Sequence, residues 1–98
     1  SIQSLRSKVH AEMTVVFNVE MDGSVTGARV VRVTNVKGTS RHFLKMDAAK
    51  QKRVLDRCME FYKEQAVRLT NSMPKWKPAE QKGRPVQSKT SLTIVFQA

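Results

Sequence analysis

"AEMTVVFNVEMDGSVTGARVV", residues 11–31, reads as two strands joined by a turn, and the fold is worked out from it. Ala11, Met13, Val15, Phe17, Val19 and Met21 share one face of an alternating run, while Glu12, Thr14, Asn18 and Glu20 take the other. Strict alternation over this length predicts a half-buried antiparallel strand. Asp22-Gly23 follows at once. Between β-rich runs that dipeptide is a hairpin signal, because glycine accepts positive φ without a Cβ clash. The second run, 25–33, alternates less cleanly: Ala28 and Val30 suit one inward register, Val31 and Val33 the other. Gly27 is a candidate bulge where the register shifts.

Downstream, residues 34–46 read as a loop around Lys37-Gly38-Thr39-Ser40. From Asp47 to Ser72 there is neither Gly nor Pro. Leu55, Cys58, Met59, Tyr62, Ala66, Leu69 and Met73 recur at helical spacing, which predicts one apolar stripe. Asp47 is the expected N-cap, and Asn71 with Pro74 ends the helix. Pro74, Trp76, Pro78, Gly83 and Pro85 then form a corner, with Trp76 expected as a hydrophobic pin over the end of the core. The last run alternates again over 86–96, with Leu92, Ile94 and Phe96 inward.

Hairpin, helix and final strand predict a two-layer α+β fold, β-β-α-β, in which a three-stranded antiparallel sheet carries one helix on one face. Residues 1–98 form one domain, with the hairpin at 11–34, a core helix at 61–73 and the last strand at 86–96. The first residue is Ser1, so the chain is expected to be a piece of a longer protein. No apolar run approaches the ~20 residues of a membrane-spanning helix.

Charge is uneven. The net +10 comes from 18 Lys and Arg against 8 acids. Residues 1–36 carry four cations and three acids, whereas 37–98 carry 14 cations and five acids. Such a surplus favours anionic partners and says nothing of fold. A nucleic-acid reading is unfavoured, because the alternation commits Phe17 and Phe96 inward and leaves few aromatics for stacking. His10, His42 and Cys58 are too few and too scattered for a structural zinc site. Cys58, without an adjacent histidine, is expected to be a buried small hydrophobe. No acid–base pair or phosphate loop stands out, so neither enzyme activity, metal nor cofactor is expected.

The stretch "MPKWKPAEQKGRPV" (73–86) followed by "SLTIVF" (91–96) resembles the carboxy-terminal signature of TonB-family energy-transducer domains. "TVVFNVEMDGSVTGARVV" (14–31) is similar to that family's first hairpin, and "KEQAVRLTNSMPKW" (63–76) to the end of its helix. Against that pattern, residues 39–57 read as a basic insertion whose charged helix half has little apolar surface, and "SIQSLRSKVH" (1–10) lacks the family's Tyr-Pro segment.

The resemblance implies a periplasmic protein-interaction module rather than an enzyme. It implies a grip on the TonB-box peptide of an outer-membrane TonB-dependent transporter by β-strand addition. The family's pull is supplied by the ExbB/ExbD motor through an inner-membrane anchor outside this chain, and it drives siderophore and nutrient uptake. By the same resemblance the membrane is met only through that anchor, and a homodimer is conceivable. The implied peptide-binding edge is Ser88, Lys89, Thr90, Ser91, Leu92, Thr93, Ile94, Val95 and Phe96. A sensing or scaffolding domain of another envelope protein is the alternative, with a basic nucleic-acid-binding domain behind it.

Overall fold

The computed structural model describes residues 2–98, apart from the side chain of Gln3. Eight elements follow in order: α1 (Ile2–Ser7), β1 (Val9–Val19), β2 (Val25–Gly38), α2 (Arg41–Leu44), α3 (Ala48–Asn71), β3 (Ala79–Gln81), β4 (Arg84–Val86) and β5 (Ser88–Phe96). The architecture is α+β. A three-stranded antiparallel sheet in the order β2-β1-β5 carries α3, and β3 with β4 forms a separate two-stranded ribbon.

β1 is the central strand because its pattern is the purest. Val9, Ala11, Met13, Val15, Phe17 and Val19 are all buried, and the residues between them are half-exposed on the other face. Met21, expected in the same row, lies beyond the strand end and is exposed. The β1–β2 turn closes with Gly23 at φ 87° and the Ser24 amide donating to the Asp22 carboxylate at 2.9 Å.

β2 resolves its two conflicting registers with bulges. Val15 pairs with Val30 and Thr14 with Arg32, so Val31 is an extra residue and turns outward. Val30 and Val33 both pack on the core as a result. Further shifts fall at Gly27, with φ 65°, and at Asn35, with φ 54°. Gly27 was the expected bulge site, but the apolar register changes at Val31.

Residues 34–46 are not a loop. β2 continues to Gly38, and Ser40 caps the short α2 by accepting from the Phe43 amide at 3.1 Å. Phe43 is buried under Gly38, where a Cβ would sit 2.5 Å from its ring. Asp47 caps α3 as expected, accepting from the Lys50 amide at 2.8 Å. The buried row of α3 is Val54, Cys58, Tyr62, Ala66 and Thr70, whereas Leu69, expected inside, is exposed. Cys58, Tyr62 and Ala66 of the expected stripe lie in this i, i+4 row, with Leu55 and Met59 packed beside it, while Val54 and Thr70 extend the row obliquely to the helix axis. Thr70 satisfies its buried hydroxyl by donating to the Ala66 carbonyl at 2.7 Å.

The segment 39–57 therefore contributes to the core through Phe43 and Val54, the latter from the helix half expected to hold little apolar surface. α3 is continuous from residue 48, so 61–73 covers its second half and its exit rather than the whole core helix. The last strand begins at Ser88; Val86 belongs to β4, with Gln87 between. The molecule is elongated, about 59 × 18 × 15 Å.

Candidate functional site

β5 lies at an edge of the sheet, paired on one side with β1 and open on the other. Nine consecutive pairs, from Val19↔Ser88 to Ala11↔Phe96, run without a register shift. In a strand, successive residues direct their N–H and C=O to alternate sides, so about half of β5 offers both groups outward. Side chains alternate as expected. Lys89, Ser91, Thr93 and Val95 are exposed on the open face, while Ser88, Thr90, Leu92, Ile94 and Phe96 are half-buried on the helix side. Leu92, Ile94 and Phe96 pack against the core without being fully covered, so the helix leaves an apolar ledge along this edge.

Tyr62 fixes the far end of that ledge. Its ring stacks on Phe96 with centroids 4.3 Å apart and planes 14° from parallel. Its hydroxyl donates to the Val9 carbonyl at 2.8 Å, tying α3 to the start of β1. Burial pushes the Tyr62 phenol above its ordinary pKa, because the phenolate would be poorly solvated there.

The near end is held by the corner. The Trp76 amide donates to the Gly23 carbonyl at 2.9 Å, and Lys75 lies 3.8 Å from the Asp22 carboxylate. The approach is close: a Cβ on Gly23 would sit 2.3 Å from the Trp76 carbonyl oxygen. Hydrogen bonds from Ser24, helped by Lys75, hold the Asp22 carboxyl below its usual pKa. The Trp76 and Phe17 rings lie edge to face with centroids 5.2 Å apart, but Trp76 remains 38% exposed. It is an exposed flap at the corner rather than the expected core pin, since one ring contact covers only part of an indole.

Beyond Pro78 the chain forms the β3–β4 ribbon, reversed at Lys82-Gly83 with φ 52° and 77°. Positive φ at both positions is the hairpin geometry of a type I′ turn. Pro85 sits within β4, opposite Glu80. Gln87 then donates to the Glu20 carboxylate at 2.9 Å. Both legs of the ribbon are thus fastened to the β1–β2 turn region, and β5 leaves from a fixed point. No three-residue strand announces itself by alternation, so β3 and β4 escaped the sequence reading. Lys82-Gly83 was their only visible sign.

The bulges of β2 have an electrostatic result that was also missed. Arg29, Arg32 and Lys37 pair with Val16, Thr14 and His10, all on the face away from α3. With Lys89 opposite Asn18, that open face carries four cations. Cys58 is buried, and the described residues contain no group of three or more metal-ligating side chains.

No family model matches the chain, and no curated protein or solved structure matches it either. The TonB-family resemblance therefore stands on the sequence motifs alone.

Proposed function

We propose that this domain is a protein-interaction module that captures an extended peptide by adding it as a fourth strand alongside β5. One observation carries the reading: β5 is an open edge whose nine pairs with β1 contain no bulge. Unpaired backbone groups on a regular edge are a template for another strand. The half-buried Leu92, Ile94 and Phe96 would receive apolar side chains of the peptide on the helix side. Lys89, Ser91 and Thr93 would flank its polar side chains on the other. Following the resemblance at 73–86 and 91–96, the proposed partner is the TonB-box peptide of an outer-membrane transporter, with the domain in the periplasm and pulled through an ExbB/ExbD-driven anchor. The domain works by binding and transmitting force, with no catalytic step.

Four to six new backbone hydrogen bonds, each worth about 0.5–1.5 kcal/mol net, offset the ordering of the peptide. The result is an affinity on the order of micromolar, suited to a grip that releases. The ladder also loads its hydrogen bonds together when pulled along the strand, so a modest affinity carries force.

The test is an NMR titration with peptides from the amino-terminal segments of outer-membrane transporters. Shifts concentrated on 88–96 that persist in high salt support strand addition. Saturable binding that maps to 41–57 and vanishes with salt overturns it in favour of polyanion binding, which is steeply salt-dependent.

A further inference from the structure

α1 is inside out. Its Ser4 and Ser7 are buried, while Ile2 and Leu5 are 74% and 66% exposed. Ser7 even buries its hydroxyl oxygen without a hydrogen-bond partner among the described residues. On apolar burial and the unsatisfied Ser7 hydroxyl alone, the opposite rotation of α1 would be favoured. Yet α1 is held in place from its far end. The Ser7 carbonyl accepts from the Thr39 and Ser40 amides at 3.1 and 3.2 Å, and the Thr39 hydroxyl donates to the Lys8 carbonyl at 3.2 Å.

These bonds join α1 to the cap of α2, and the two helices pack together at one end of the molecule. α2 buries Phe43 in the ordinary way but leaves the adjacent Leu44 64% exposed. Three large aliphatic side chains thus face solvent at one end.

The charges around them have one sign. Arg6, Lys8, Arg41 and Lys45 are exposed beside these side chains, and neither 1–11 nor 37–46 contains a single acid. A shallow groove lined by His42, Lys45, Met46, Asp47 and Lys50 continues the basic surface onto α3. The nearest carboxylates are engaged: Asp47 caps α3, and Glu12 accepts from the Asn35 side chain.

We propose that the α1–α2 end docks onto an anionic lipid bilayer, with Ile2, Leu5 and Leu44 entering the interface and the cations lying at headgroup level. Exposed aliphatics ringed by Lys and Arg are the chemistry of interfacial membrane attachment. Phosphodiester polymers would leave the aliphatics unused, and no exposed aromatic accompanies them here for base stacking. A second copy would bring two acid-free basic ends together. This contact is independent of the peptide edge, which lies on β5, and it adds a membrane attachment beyond the anchor that the family resemblance supplies.

Vesicle flotation tests it, using phosphatidylglycerol–phosphatidylcholine vesicles and pure phosphatidylcholine vesicles at low salt. The protein should float with the anionic vesicles only. L5S/L44S and R41E/K45E should each weaken flotation roughly tenfold or more, since each basic residue near such a surface strengthens partition about fivefold. R29E/R32E makes the same charge change on the open sheet face and should alter flotation less than about twofold. Thermal melts of each variant establish that it is folded.

Equal losses in R29E/R32E and R41E/K45E would overturn the proposal, since net charge alone would then explain flotation. So would flotation indifferent to L5S/L44S, equal flotation with neutral vesicles, or a dimer in sedimentation that L5S/L44S dissolves. The peptide titration on 88–96 reads a different surface, so failure of one proposal leaves the other standing.

Discussion

The two edges of one sheet have been treated in opposite ways. β2 spans 14 residues and changes register three times, at Gly27, Val31 and Asn35. Each bulge leaves a residue unpaired and twists the strand locally, which spoils the ladder an incoming strand would need. Arg29, Arg32 and Lys37 line its outer face, adding charge repulsion against a second copy. β5 has no bulge and a single cation, Lys89. An edge left regular beside one so thoroughly irregular is regular for a reason. Strand length does not decide which edge is open to pairing; continuity of register does.

The support beneath the two edges differs as well, and the largest expected effect breaks the β2 side. Phe43→Ala should cost about 3–5 kcal/mol, the range for a large buried aromatic, a sizeable share of a typical domain's ~5–15 kcal/mol. Denaturant unfolding measures it, and excising 39–57 should unfold the domain for the same reason. A folded deletion would mean that Phe43 and Val54 are dispensable passengers.

Proline on β5 sharpens the contrast next. Thr93→Pro and Leu92→Pro each remove one N–H, and adjacent residues point theirs to opposite sides. The variant whose N–H faces β1 should lose stability. The other should stay folded and lose peptide affinity roughly tenfold or more, as one blocked position disrupts the added ladder. Calorimetric titration beside thermal melts separates the two, and identical behaviour of the pair would remove the edge from the mechanism.

Trp76→Ala should be milder, about 1–2 kcal/mol, because the ring keeps much of its exposure and meets only Phe17 among the aromatics. A loss as large as that of Phe43→Ala would make the corner a second core.

The smallest effect is alkaline. Tyr62 has its pKa raised in the fold, so the native state holds the proton more tightly than the unfolded chain. The associated stability is complete below pH 10, the ordinary phenol value, and declines as pH rises past it towards the folded pKa. Tyr62→Phe should flatten that decline in melts taken across the range, while losing the bond to the Val9 carbonyl.

What was readable in the chain follows from how local each cause is. The β1 alternation needs no distant partner to be recognised, and Asp22-Gly23 and Asp47 are decided within four residues. The contest between Val30 and Val31 in β2 was visible as a conflict, but its resolution depends on which residue the sheet ejects. α2 was hidden because a four-residue helix has no period; its only local sign was Ser40 placed to cap Phe43. The helix stripe was legible at Cys58, Tyr62 and Ala66, with Leu55 and Met59 beside them, but Val54 and Thr70 are buried where Leu69 was expected, because helix rotation answers to the sheet beneath it. Trp76 was found in the right corner with its burial overstated. As for β5, alternation announces a strand and is silent on whether it lies centrally or at an edge, which is the property the proposed function rests on.

The register Ala11↔Phe96 has a bearing on how this domain comes into being. β1 can zip to β2 through a short turn soon after both are made, yet its other side must wait for residues 88–96. Such distant pairing is entropically slow to close. Until the end of the chain is delivered, the most apolar strand therefore has one flank bare, and a foreign strand arriving then would find a free place beside β1. The domain's own biogenesis thus contains a brief, uncontrolled version of the peptide capture proposed for its finished edge, and a chaperone would matter most in that window.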